Sequence, residues 1–319
     1  EGHQPAQGQG SQRGRRGDGT RERGSQLSRE KGRQGGDRSW PLRPIYSGGL
    51  EGVFQGGEPP QGANVGLVYD RYADIWKASR RDGSATDIHS DSSLRHEFLK
   101  KMVGSGTATP GWARRELERI KPLLEAFHRR RSRLWQSIDA LPLELVLSSP
   151  MVSGVGMTHA LTAGFVWDRN LGVPYLPASS LKGATRAWAN PEQWGALAKD
   201  DFDRIFGVME DTGAGSVVFH DLYPLEPPTL RIDLINPHFK DYYQYGTPPG
   251  DWLEPEPAFF LTIAPGTRFV TALHPRTAAH SKDLDMAAKC VREALENLGL
   301  GAKTAVGYGR FKPWPRPSS

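Results

Sequence analysis

The stretch Gly172-Val-Pro-Tyr-Leu-Pro-Ala-Ser-Ser-Leu-Lys-Gly-Ala-Thr-Arg186 holds a turn, a helix start and two fixed cations within fifteen residues. Pro174 and Pro177 keep the approach extended, and Ser179 or Ser180 can accept from the orphan N–H groups where a helix opens, at about Ser180. Leu181, Ala184 and Trp188 recur at i, i+3, i+7 and make one apolar stripe. Ser179, Lys182 and Arg186 repeat that spacing one residue out of phase, about 100° round the axis. One face is therefore expected to dock on a core while its neighbour offers positive charge, beside a helix N-terminus that favours anions. On pattern alone, the plain reading of Lys182 and Arg186 is an ordinary solvated flank.

The same stretch resembles the signature of the RAMP superfamily of CRISPR-associated proteins, with Ala178 and Thr185 where the family usually has glycine and leucine. A second match, Gly299-Leu-Gly301-Ala-Lys303-Thr-Ala-Val-Gly307-Tyr308-Gly309-Arg310-Phe311, resembles the family's closing glycine-rich loop. Between them, Asp233-Leu-Ile-Asn236-Pro237-His238 and Phe259-Phe-Leu-Thr-Ile263 look most like the sixth-subunit branch of the Cmr (type III-B) effector complexes. The resemblance covers roughly residues 141–311. It implies an α+β, ferredoxin-like (RRM-like) βαββαβ domain with a long thumb-like insertion, preceded here by a helical N-terminal extension.

Composition sets the limits within which that family likeness must work. The chain has 319 residues, one full domain plus appended segments by size, and 41 Lys and Arg against 36 Asp and Glu leave a net charge of +5. Residues 1–40 alone carry nine Lys or Arg and five acids, and residues 112–137 carry eight against three. A basic balance favours nucleic acid or an anionic surface as partner, although a solubilising tail fits charge equally well. The single cysteine, Cys290, excludes an internal disulfide and a Cys-based zinc site. No apolar run is long enough to span a bilayer, so a cytoplasmic protein is expected, with no membrane partner.

Residues 1–40 are Gly, Gln, Arg and Ser with few apolar side chains, and are expected to be a disordered basic tail whose Arg-Gly pairs resemble RNA-contacting segments. Residues 41–140 read as an arm followed by a helical region. Periodicity predicts helices at 65–79, with Leu67, Ala73, Ile75 and Trp76 on one side, at 92–103, and at 112–138. In the last, Leu117, Ile120, Leu124, Phe127, Leu134 and Ile138 mark the buried face and Pro122 is a possible break. Arg129, Arg130, Arg131 and Arg133 present either a phosphate-facing surface or a solvated helix end. Residues 141–319 form the RAMP domain: strands at 141–148, 216–222, 230–234, 258–263 and 267–273, a short helix near 201–206, and a second long helix at 281–298 capped by Gly299. Residues 224–257 form the thumb-like insertion.

The candidate RNA-binding residues are Gly154, Gly156, His159, Ser180, Lys182, Arg186, Gly301, Lys303, Gly307, Tyr308 and Arg310. The glycines permit close backbone approach to a phosphate, and Lys303 and Arg310 add charge, whereas tight turns alone could also demand those glycines. No Walker motif is present, no histidine pair has ligand spacing, and no nucleophilic serine motif appears, so no cofactor, metal or catalytic residue is assigned. The resemblance implies a non-catalytic backbone subunit that binds CRISPR RNA near its 3′ end and helps hold target RNA beside other RAMP subunits of the Cmr complex. The alternative is a metal-independent endoribonuclease that pairs His159 with Lys182. Asp168, in the loop where a sibling subunit carries a catalytic Asp, lacks the sibling's local pattern.

Overall fold

A computed structural model describes residues 58–81, 84–90, 92–105, 109–208, 213–236, 246, 248 and 257–314. The chain divides between Pro41 and Leu42 into two units, and everything described lies in the second. The expected basic tail and most of the expected arm lie outside the described residues.

The N-terminal part of this unit is helical. Helix α1 (Val65–Arg71) starts at Asn64, whose Oδ1 accepts from the Leu67 N–H at 2.9 Å. That cap sets a phase in which Val65, Val68 and Tyr69 are buried and Leu67 is 49 % exposed. The expected apolar side and the expected end near Ser79 are both corrected. The chain leaves the helix after Arg71, buries Ile75, whose N–H donates to the Ala73 carbonyl at 3.0 Å, and enters a hairpin of β1 (Lys77–Arg81) and β2 (Ser84–His89). Helix α2 (Ser92–Val103) falls where periodicity placed it.

The expected helix over 112–138 is two helices, α3 (Trp112–Arg119) and α4 (Lys121–Ser137), joined at Ile120. Pro122 occupies the first turn of α4, where its missing N–H costs nothing. The buried face beyond Phe127 also differs from expectation: Leu134 is 51 % exposed and Trp135 is buried. Arg131, at i+4 from Phe127 and i−4 from Trp135, takes the intervening inward position. An apolar-only stripe steps over such a residue.

The main sheet has the order β4-β8-β3-β9, every pairing antiparallel, with β3 (Leu141–Leu147), β4 (Val217–Phe219), β8 (Arg268–Pro275) and β9 (Phe311–Pro313). The short β5 (Tyr223–Pro224) also pairs with β8. Alternation puts Leu143, Leu145 and Leu147 of β3 on one face with Phe269 and Leu273 of β8. Helices α5 (Ala178–Ala189) and α7 (Asp283–Asn297) pack against each other and cover that face. Val270 and Ala272 point the other way and meet Trp135 of α4. Both faces of β8 are therefore buried, which explains its nearly continuous apolar run. One cluster of buried side chains extends from Val65 to Phe311, so the N-terminal helices share the sheet's core.

Helix α6 (Lys199–Phe206) follows α5. Strands β6 (Leu230–Ile235) and β7 (Ala258–Ile263), both at positions expected for strands, form a separate antiparallel hairpin, and β6 lies within the segment 224–257 expected to be the thumb. Residues 237–245, 247 and 249–256 of that expected thumb lie outside the described residues. Among the described residues no helix is long and apolar enough to cross a membrane.

Candidate nucleic-acid interface

Helix α5 begins two residues earlier than the sequence suggests, with Pro177 at the N-cap and no side-chain cap of its own. Ser179 and Ser180 are exposed within the first turn. Capping comes from elsewhere: the Ala178 N–H donates to Asp221 Oδ1 at 2.7 Å. A carboxylate thus already occupies part of the helix N-terminus that was expected to attract an anion. Thr185, where the family has leucine, is fully buried and donates its hydroxyl to the Leu181 carbonyl at 2.8 Å.

One side of α5 lines a groove of about 750 Å³. Ser180 and Ala184 form one wall, the turn holding Gly154 and Gly156 a second, and the loop holding Gly301 and Arg310 a third. Five of the eleven expected residues meet here. The groove floor is held by main-chain bonds: Ala302 N–H to Val152 O at 2.7 Å, Gly309 N–H to Pro150 O at 2.8 Å, and Leu300 N–H to Gly309 O at 2.8 Å.

The glycines divide by role. A Cβ on Gly309 (φ +69°) would lie 2.0 Å from the Leu300 carbonyl oxygen, and one on Gly301 (φ +100°) 2.4 Å from that of Val152. Those two are required by contact between chain segments. Gly156 and Gly307 have open space instead, which leaves room for a ligand backbone. Arg310 is largely committed to the fold: its guanidinium donates to the carbonyls of Asn297, the last residue of α7, and of Thr304. Lys303, itself left-handed (φ +60°), sets its ammonium 5.4 Å above the Phe260 ring and 6.0 Å from that of Tyr308. The Tyr308 hydroxyl donates to Asp233 Oδ2 at 2.6 Å, and burial together with that carboxylate pushes its pKa up to about 12.

Lys182 and Arg186 do not face this groove. They lie on another side of α5, where the Lys182 pKa is lowered by partial burial and by the charges of Arg186 and Arg276. No acid is paired with Lys182 or Arg186 among the described residues, and the Arg186 guanidinium sits 5.3 Å above the Phe202 ring. Arg276 donates to the Gly215 carbonyl at 2.9 Å, which fixes it in place. Sequence reading missed Arg276 because it follows the end of β8 and belongs to no motif.

His159 belongs to the core rather than to either surface. Its ring stacks on Tyr69 at 4.7 Å, Nδ1 accepts from the Leu161 N–H at 3.1 Å, Nε2 lies 3.5 Å from Asp70 Oδ1, and the side chain is only 9 % exposed. Both carboxylate oxygens of Asp168 are taken, Oδ1 by the Asn170 and Leu171 N–H groups and Oδ2 by the Tyr223 hydroxyl. Among the described residues no cluster of His, Cys, Asp or Glu is placed to hold a metal ion.

A further aromatic residue missed by the sequence reading also lines the groove. Trp194 is 58 % exposed and stacks on Trp188 of α5 with ring centroids 5.3 Å apart. It escaped notice because it lies in the turn after α5, outside both motifs.

The sequence profile of the RAMP superfamily matches residues 144–312. A relative from Pyrococcus furiosus described as "CRISPR system Cmr subunit Cmr6" is 30 % identical over 237 residues, covering 55 % of this chain and 68 % of the relative. A second, from Saccharolobus solfataricus and likewise described as a Cmr6 subunit, is 31 % identical over 153 residues, covering 47 % of this chain. This chain spans about half (48 %) of that second relative. A chain in the structure titled "Cryo-EM structure of the Type III-B Cmr-beta bound to cognate target RNA" overlays with a TM-score of 0.49 at 24 % identity, covering 63 % of this chain and 71 % of that one. From the matched profile and the P. furiosus relative, the chain belongs to the RAMP superfamily and, within it, to the family of Cmr6 subunits of the CRISPR Cmr system.

Proposed function

We propose that the protein is a non-catalytic RNA-binding backbone subunit of a type III-B effector ribonucleoprotein. It binds CRISPR RNA near the guide's 3′ end and helps hold target RNA beside other RAMP subunits in the cytoplasm. The observation that carries this reading is the two-sided use of α5. One side borders a groove walled by two glycine loops, and another holds Lys182, Arg186 and Arg276 together without a described acid partner for Lys182 or Arg186. Three cations held against their mutual repulsion suit a phosphodiester backbone, whose charge is independent of sequence. That is the chemistry a subunit needs when the guide sequence varies.

The strand–helix–strand–strand–helix–strand order of β3, α5, β4, β8, α7 and β9 supports a ferredoxin-like assignment for this domain. The hairpin of β6 and β7 would then be the base of the thumb-like insertion, and the Arg-Gly tail a flexible auxiliary RNA contact. Nothing in the geometry favours the nuclease reading. A general base must reach the proton it removes, and His159 is packed against Tyr69 with its Nδ1 already accepting a main-chain N–H.

The test uses the purified full chain with end-labelled single-stranded RNA of repeat-derived sequence, in Mg²⁺ and separately in EDTA. Retention without cleavage is expected. Cleavage in EDTA that disappears in His159→Ala would replace this reading with the nuclease, and absence of both retention and cleavage would remove intrinsic RNA binding.

A further inference from the structure

We infer that Trp194 is a stacking platform for one unpaired nucleobase at the mouth of the α5 groove, so that this site takes single-stranded rather than fully paired RNA. The inference deepens the RNA-binding reading above and rests on it.

Trp194 combines high exposure with a fixed position. Tryptophan is highly buried on average, whereas Trp194 is 58 % exposed. Its turn is closed by main-chain bonds, since the N–H groups of Gln193, Trp194 and Gly195 all converge on the Asn190 carbonyl at 2.8 to 3.1 Å. The Asn190 side chain accepts from the Glu192 N–H at 3.0 Å, which tightens the same turn. Gly195 (φ +68°) supplies the left-handed residue that lets the chain turn away beyond the ring.

Trp188 backs the ring on one side, with 26° between the two planes. Trp188 is itself pinned, its Nε1–H donating to Glu293 Oε2 of α7 at 3.0 Å. The pair is therefore a rigid two-ring stack anchored on both α5 and α7. Among the described residues no other ring stacks on Trp194, and the residue stays 58 % exposed to solvent. The ring lines the same groove as Ser180 and as Gly156, whose approach is open.

That combination matches the way single strands are held without sequence preference: a backbone track beside an aromatic face that accepts any base. A base still paired and stacked in a duplex has no free face to offer, so the platform discriminates by strandedness.

The experiment titrates full-length wild type, Trp194→Ala, Trp194→Phe and the double variant Lys182→Ala/Arg186→Ala with repeat-derived single-stranded RNA and with the same RNA annealed to its complement, over a range of salt concentrations. Trp194→Ala should weaken single-strand binding about tenfold, with an unchanged salt slope and an unchanged duplex affinity. Trp194→Phe should recover most of the loss. The double variant should instead flatten the salt slope. If Trp194→Ala stays within twofold of wild type while the double variant weakens binding, the stacking role is overturned and the RNA-binding reading stands. A loss equal for single strand and duplex would also overturn the stacking role, and no binding by wild type would overturn both.

Discussion

Helices α4 and α5 both carry basic residues on an inward-leaning face, and the fold treats them in opposite ways. On α4, Arg131 is enclosed by the rings of Trp135, Tyr223 and Phe127 at 4.5, 4.8 and 5.3 Å and donates to the Asp221 carbonyl at 2.5 Å. Burial lowers its pKa to about 10, although two acidic groups nearby oppose the shift. On α5, Lys182 has cations for neighbours and no described acid partner. The denser run of arginines thus contains a structural anchor, while the sparser pair keeps its charge available. Counting cations along a helix does not locate a phosphate surface; what the opposing strand and loops present to them does.

The largest difference between the two helices should appear in stability. Arg131→Ala removes a charge-assisted hydrogen bond and three ring contacts, and should cost about 2 to 4 kcal/mol in denaturant unfolding. An unchanged midpoint would place Arg131 outside the fold's support. Lys182→Ala/Arg186→Ala should leave the unfolding midpoint near wild type and weaken RNA binding by roughly 1 to 3 kcal/mol, the scale of lost charge-assisted contacts. A stability loss with intact affinity would reverse the roles given to the two helices.

Asp221 joins the two regions, since its carbonyl holds Arg131 and its carboxylate caps α5. Asp221→Ala should cost about 1 kcal/mol through the lost cap, and Asp221→Asn, which keeps an acceptor oxygen, less.

The legible part of the molecule was the part with regular periodicity. The face of α7 formed by Leu284, Ala287, Val291 and Leu295 is buried as its spacing requires, and Gly299 (φ +78°) ends that helix. The two motifs located α5 and the glycine loop. Sequence spacing puts Ser180 and Lys182 about 200° apart on α5 but could not tell which of the two sides would meet the glycine loops, nor that Arg310 would be drawn onto the last turn of α7. The first outcome depends on partners more than 100 residues away, the second on loop geometry. The enclosure of Arg131, expected on a phosphate-facing or solvated surface, and the exposure of Trp194 were unforeseen for a shared reason: a buried arginine and an exposed tryptophan each contradict the binary pattern on which periodicity relies.

A smaller effect tests the α4 side through pH. Burial, His274 and Arg131 lower the His220 pKa to about 4 from an ordinary 6.5, and Asp221 opposes them. The His220 and His274 rings share a 2.9 Å hydrogen bond between nitrogens, and Trp135 packs edge-on to His220. As pH falls from about 6.5 to about 4, the unfolded chain gains a proton that the folded chain refuses, so stability falls across that window and levels off below it. Because His220 is only about half shielded from solvent, the expected loss is about 2 to 4 °C in Tm, and His220→Gln should flatten it. The smallest effect is at Arg129, whose exposed pair with Glu125 is 4.0 Å long; Arg129→Ala should stay within about 0.5 kcal/mol of wild type.

The most direct test of the central claim is the salt dependence of RNA affinity in wild type and in Lys182→Ala/Arg186→Ala. If the two cations neutralise phosphates, the slope of log affinity against log salt should become shallower by about 2 in the variant. Parallel slopes would show that this side of α5 does not touch the RNA backbone.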